Sequence, residues 1–184
     1  QTRLQFADTN PGSSLRLDLA PGTHPASPEN CQLFSQIHLP GHFGEEGKPL
    51  NLAVDVGCGC GVFGFYLLHA LARQGRHLRQ MLFIDPHQPS LAALARTLTR
   101  HRQQLPMLDS AQFSADSLLA PLLQQGEKAE LICANLPQTP GPGNFRLDRC
   151  GGNDGAELLY TLLAQLPDAL AANGMAFILH ISLA

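Results

Sequence analysis

The sequence predicts an α/β fold: a doubly wound, mostly parallel sheet preceded by a small N-terminal arm. Three observations predict it. From residue 51 onward, short apolar runs alternate with stretches that have helical periodicity. The run Leu52-Ala53-Val54-Asp55-Val56 leads through a glycine-rich turn straight into an apolar helical stretch. Acids stand at the ends of three runs, at Asp55, Asp85 and Asp116, where a parallel sheet of this kind binds its ligands.

The elements follow in order. Residues 1–22 read as a hairpin, because Leu4-Gln5-Phe6-Ala7 and Leu15-Arg16-Leu17-Asp18-Leu19 alternate in polarity around the turn Asn10-Pro11-Gly12-Ser13. Pro21-Gly22-Thr23-His24-Pro25 ends it. A helix is predicted from Ser27, with Pro28 at its first position and Glu29 in its first turn, to about His38. Residues 40–49 are rich in Gly, Pro and Glu and read as a linker. The division expected is therefore an arm over 1–48 and a sheet domain over 49–184. In that domain strands are predicted over 52–56, 81–84, 111–113, 129–134 and 175–181. Helices are predicted over 62–74, 89–103 and 155–172. In the second of these Leu91, Leu94, Ala95 and Leu98 share one face.

Composition narrows the classes of function. The chain has 184 residues and 44% apolar residues, enough for a packed core. A net charge of −3 argues against a broad basic face for nucleic acid phosphates. Arg73, Arg76, Arg79, Arg96, Arg100 and Arg102 cluster, but the plain reading of such a cluster is solvated helix surface. Five cysteines (Cys31, Cys58, Cys60, Cys133, Cys150) match no disulfide scaffold, which predicts a reducing, cytoplasmic setting. No apolar run reaches the roughly 18 residues of a membrane span, so no membrane partner is expected. The chain begins at Gln1 rather than Met, which suggests a missing N-terminus.

Four strand-end loops should converge on one edge of the sheet and carry the chemistry. In the first, Gly57, Gly59 and Gly61 let the backbone turn sharply and let a ligand approach it without meeting a Cβ. Cys58 and Cys60 occupy the small positions between them. With Cys133 they make three thiols near one edge, but the spacing is that of small buried sites, and no metal is predicted. Asp85, followed by Pro86, can accept from ribose hydroxyls. It lies roughly 20–30 residues past the glycines, as nucleotide recognition requires. His87 lies next to it. Asp116, with Ser117, can accept from an adenine amino group. A dinucleotide dehydrogenase would share these features, but Asp55 beside the glycines would repel a pyrophosphate. An amine and a sulfonium suit it better.

The segment Asp55-Val56-Gly57-Cys58-Gly59-Cys60-Gly61 resembles the first motif of class I S-adenosylmethionine-dependent methyltransferases, whose fold is Rossmann-like. Asp85 and Asp116 then match their ribose and adenine acids. Cys133-Ala134-Asn135-Leu136-Pro137-Gln138 resembles the Asn-Pro-Pro-aromatic signature of enzymes that methylate planar nitrogens. Gly151-Gly152-Asn153-Asp154-Gly155 resembles a motif of release-factor glutamine methyltransferases and the "methyltransferase small domain" group. The arm from Pro21 through Glu29 resembles the segment preceding their cofactor domain.

The resemblance implies S-adenosylmethionine as cofactor. It implies Asn135 as a shared cofactor and acceptor residue, and Asn135 with Pro137 as the catalytic pair. Asn135 and the Leu136 carbonyl would hold the acceptor's NH₂ group. The chain departs from the signature at Leu136 and Gln138, the second being the aromatic position. Phe145 could supply the missing ring, and Arg146 could bind an anionic group on the acceptor. The acceptor class stays open among a protein glutamine amide, a nucleobase and a small molecule. The competing expectation is a non-catalytic module that binds an S-adenosyl ligand or a partner. The resemblance also implies a final antiparallel hairpin, absent after the fifth strand. A shortened chain or an open-edged sheet is therefore expected.

Overall fold

A computed structural model describes residues 2–5, 14–23, 27–40, 43, 48–141 and 150–180. Five parallel strands form the sheet: β3 (Leu50–Val56), β4 (Leu78–Ile84), β5 (Leu108–Ser114), β6 (Ala129–Ala134) and β7 (Leu170–Ile178). Their spatial order is β5-β4-β3-β6-β7. The chain runs outward from β3 to β5 and then returns to β6 on the other side, so the order reverses beside β3. That reversal is where ligands bind in open α/β sheets.

Side-chain alternation sorts the two faces. Ala53 and Asp55 point toward α2 (Val62–Arg73), whereas Leu52, Val54 and Val56 point toward α4 (Ala120–Gln125) and α5 (Glu157–Ala169). Helix α2 is apolar nearly all round and is buried on nearly all sides from Val62 to Leu71. Helix α3 (Gln88–His101) is amphipathic, with Leu91, Leu94 and Leu98 packed on the α2 side of the sheet.

The arm's hairpin is β1 (Thr2–Gln5) paired antiparallel with β2 (Ser14–Leu17). Its Leu4, Leu15 and Leu17 enter the same apolar cluster as α2 and α3. Strand β2 docks on α3 by polar contacts as well. Asp18 N–H donates to Thr97 Oγ1 at 2.9 Å, and Arg100 clamps the Asp18 carboxylate with two 2.9 Å bonds. Helix α1 (Pro28–Ser35) starts as the sequence predicts: Ser27 Oγ accepts from Asn30 N–H at 3.2 Å. Its Phe34 stacks on Phe63 of α2 with centroids 4.1 Å apart.

Several bounds differ from expectation. Helix α1 ends at Ser35, short of His38, with the Gln36 N–H turning back to Leu33 and Phe34 carbonyls. Strands β3, β4 and β5 begin earlier than their apolar runs because Leu50, Leu78 and Leu108 pair in one buried row. Helix α5 stops at Ala169 because Leu170 pairs with Ala129 of β6. Helix α4 was not expected at all. It is a short helix of 6 residues in which Pro121 and Leu122 are buried. Among the described residues no helix is long and apolar enough to cross a membrane.

Candidate functional site

The strand ends line up in one row: Ser114, Ile84, Val56, Ala134 and Ile178 are register partners from β5 across to β7. The loops carrying the sequence-predicted residues therefore leave from a single edge. The glycine loop between β3 and α2 is left-handed at Gly57, Gly59 and Gly61, with φ of +64°, +50° and +78°. The three differ in what surrounds them. A Cβ on Gly57 would lie 2.9 Å from Leu136 Cδ2, and one on Gly61 would lie 2.5 Å from Leu94 Cδ1. A Cβ on Gly59 would meet only Thr23 Cγ2, at 3.9 Å. Gly57 and Gly61 thus let the loop pack down, while Gly59 turns a bare backbone outward.

Asp85 stands over that bare stretch. Its Oδ2 accepts from Gly59 N–H at 2.7 Å and its Oδ1 from His87 N–H at 2.8 Å. Each carboxylate oxygen retains a second acceptor site. The Asp85 N–H in turn donates to the Ser114 carbonyl at 3.1 Å, which ties the second loop to the third. In the third loop Ser114 Oγ donates to Asp116 Oδ2, and both Asp116 and Ser117 are exposed. The loop is anchored by Leu118, at φ +52° yet buried, and by Leu119 N–H, which donates to Gln165 Oε1 of α5 at 3.0 Å. Pro86 is exposed at the rim.

Asp55 is placed differently from the sequence expectation of a ligand-facing acid. It is 1% exposed, beneath the loop rather than in it, and its Oδ2 accepts from Gly64 N–H of α2 at 2.9 Å. Burial pushes its pKa up to about 7. The Gly64 amide and the Cys133 thiol pull it back, and the Asp85 charge adds to the rise. Its grip on α2 shapes the loop from below. Cys58 and Cys133 are also buried, and desolvation raises both thiols well above their ordinary pKa, so they are neutral packing groups at neutral pH. Among the described residues no group of three or more His, Cys, Asp and Glu could hold a metal ion.

On the other side of β3, Asn135 follows the last residue of β6 and is half-buried. Its side chain makes no hydrogen bond among the described residues. Leu136, at the first proline position of the signature, turns into the cluster on the α4–α5 face and reaches Gly57. Gln138 Nε2 donates to the Leu179 carbonyl at 2.8 Å, tying this segment to the end of β7.

Residues 151–155 pack directly on it. Gly151 N–H donates to the Thr139 carbonyl at 3.0 Å. A Cβ on Gly151 would lie 2.5 Å from the Pro137 carbonyl oxygen and 2.3 Å from that of Gly155. Glycine is required there by close backbone approach. Asp154 Oδ1 accepts from Ala156 N–H at 2.8 Å, at the entry to α5, and Glu157 Oε1 accepts from both nitrogens of Asn153. Phe145 and Arg146 lie outside the described residues, as do His24 and Pro25 of the arm.

Thr23, Ser90 and Gln165 have no sequence signal that marks them. Each acts through a partner at least 46 positions away.

No protein-family model and no curated protein matches the chain in sequence. Solved structures do resemble it. The structure described as the delta-N METTL16 MTase domain superposes with a TM-score of 0.55 at 14% identity, over 82% of this chain and 64% of that one. A SAM-dependent methyltransferase from Agrobacterium tumefaciens gives 0.46 at 14% identity, over 73% and 40%. The Streptococcus mutans protein SMU.1697c in complex with SAH gives 0.47 at 16% identity, over 71% and 63%. The chain thus spans less than two thirds of the length of each of these matched chains. The sheet order, the helices on both faces and the METTL16 superposition agree: this chain has the Rossmann-like fold of class I methyltransferases.

Proposed function

We propose that this protein is an S-adenosylmethionine-dependent methyltransferase acting on a nitrogen acceptor. The observation that carries the reading is the open backbone of Gly59, flanked by the Asp85 carboxylate on one side of β3 and by the unengaged Asn135 amide on the other. A Cβ on Gly59 would project into that opening, and the acceptors beside it suit the hydroxyls of a nucleoside with a short cationic tail. In the fold subclass suggested by the motifs at 133–138 and 151–155, the acceptor is a planar amide or amine nitrogen. A glutamine amide, a nucleobase or a small molecule would each meet this chemistry.

Each residue then has a task. The loop from Gly57 to Gly61, with Cys58, cradles the ligand. Asp85, buried next to the exposed Pro86, accepts from the ribose hydroxyls, and Asp116 with Ser117 borders the adenine. Asp55 holds α2 against the loop. When bound, S-adenosylmethionine supplies a methyl group on an electrophilic sulfur. Asn135 Oδ1 and the Leu136 carbonyl accept from the acceptor's NH₂, which favours the pyramidal geometry that frees the nitrogen lone pair. Pro137, backed by Gly151, fixes that pair of acceptors in place. Positioning supplies most of the acceleration, and no strong base is needed before transfer.

The test is calorimetric binding of S-adenosylhomocysteine to wild type and Asn135→Ala, together with radiolabelled methyl transfer to acceptor extracts. The expected result is equal binding by both proteins, with transfer by wild type alone. Binding without transfer by either protein would favour the non-catalytic module, the reading that Gln138 in place of an aromatic ring supports. Absence of binding would overturn both.

A further inference from the structure

The N-terminal arm meets the candidate cofactor edge through a chain of polar contacts that runs from Asp85 to Thr23. Asp85 Oδ1 accepts from His87 N–H at 2.8 Å. His87 Nδ1 lies 2.7 Å from Ser90 Oγ, and Ser90 Oγ lies 2.6 Å from Thr23 Oγ1 of the arm. The Thr23 methyl lies 3.9 Å from where a Cβ of Gly59 would stand, and the Gly59 N–H donates to Asp85 Oδ2 at 2.7 Å. Ser90 is 2% exposed, and the His87 ring lies 3.9 Å from where a Cβ of Gly22 would stand. The turn at residues 22–23 therefore covers this polar chain.

A hydroxyl both donates and accepts, so Ser90, backed by Thr23, can pair with His87 Nδ1 whether or not that nitrogen carries the proton. These contacts have one functional consequence. The carboxylate of Asp85 is held on two backbone amides, one from the glycine loop and one from His87. The His87 amide is in turn held in place by a side-chain tether that ends in the arm.

We propose that Thr23 and Ser90 are positioning residues for Asp85, making the arm a working wall of the cofactor site rather than an appendage. This rests on the assignment of Asp85 to the ribose made above. Loss of the Thr23 hydroxyl loosens His87, and the Asp85 acceptor sites drift from the ribose hydroxyls. The effect should depend on those hydroxyls being present in the ligand.

The experiment uses the full chain and isothermal titration with S-adenosylhomocysteine and its 2′,3′-dideoxy analogue. Thr23→Val is expected to weaken S-adenosylhomocysteine roughly threefold to tenfold, the range for one lost hydrogen bond. Thr23→Ser restores wild-type affinity, and the dideoxy analogue binds wild type and Thr23→Val alike. Equal affinity of Thr23→Val and wild type for S-adenosylhomocysteine would overturn the proposal. So would an equal loss for both ligands, since that marks a merely structural residue. Wild type that fails to bind S-adenosylhomocysteine would instead overturn the cofactor assignment itself. Thermal melting checks the fold, and Ser90→Ala carries the same comparison if Thr23→Val melts early.

Discussion

The carboxylate of Asp55 accepts the Gly64 amide at 2.9 Å across the buried seam between β3 and α2. Its register partner on β6 is Cys133, whose thiol also hydrogen-bonds it. These bonds offset only part of the desolvation, and the folded pKa stands at about 7. The unfolded value is about 3.9. Between those values the folded chain keeps a proton that the unfolded chain has released. The contribution of this group is therefore complete below about pH 4 and falls away as the pH rises to about 7. Asp55→Asn cannot ionise. Relative to wild type it should gain stability between about pH 4 and pH 8, on the order of 1–4 kcal/mol. Urea unfolding of both proteins across that range measures it, and a pH-independent difference would remove Asp55 as the titrating group.

The glycines of the loop should separate by function. Gly59→Ala brings its methyl only into ordinary contact with the Thr23 methyl, at 3.9 Å, so it costs only the left-handed backbone penalty, about 1–2 kcal/mol. The same methyl blocks the cradle, and binding of S-adenosylhomocysteine should be lost. Gly61→Ala meets the Leu94 side chain at 2.5 Å, inside a site with no room. It should cost about 1–3 kcal/mol more than Gly59→Ala. Denaturant midpoints and calorimetry on the two variants decide it. Equal stability loss, or retained binding by Gly59→Ala, contradicts the assignment of Gly59 as the ligand-facing position.

Of the polar contacts that dock the arm on α3, the two made by Asp18, just past β2, should differ in energy. Thr97 Oγ1 is fully buried, accepts the Asp18 amide at 2.9 Å and donates to the Ala93 carbonyl at 3.2 Å. Thr97→Val strands that amide and should destabilise by about 1–3 kcal/mol. Arg100 holds the Asp18 carboxyl below its ordinary pKa, but the pair is solvent-exposed, and Arg100→Ala should cost less than about 1 kcal/mol. Amide exchange over residues 14–18 should quicken in Thr97→Val and barely change in Arg100→Ala. The reverse order would show that charge, not the buried hydroxyl, holds the arm.

Much of the fold and part of the site were legible in the sequence, and the division has a physical cause. Apolar periodicity reports burial at each position, so the strand at 129–134 and the start of α2 at Val62 could be read locally, and the cap at Ser27 could be read from Pro28 and Glu29 beside it. The left-handed turn after Val56 was legible because only glycine adopts it without strain, and the acid at Asp85 because it closes a strand. Strand starts were less legible, since backbone pairing recruits polar positions such as Asn51 and Arg79 that carry no apolar signal.

By itself the sequence determined the α/β class, the order of the elements apart from α4 and which loops carry acids and glycines, because these depend on neighbours along the chain. Only the tertiary structure decided that Asp55 lies under the loop while Asp85 stands over it. It also decided that Gly151 is pressed between two carbonyl oxygens, and that Thr23 reaches Ser90 across 67 positions. Those outcomes depend on which groups meet after the sheet and helices pack, and no local pattern of residues encodes such a meeting.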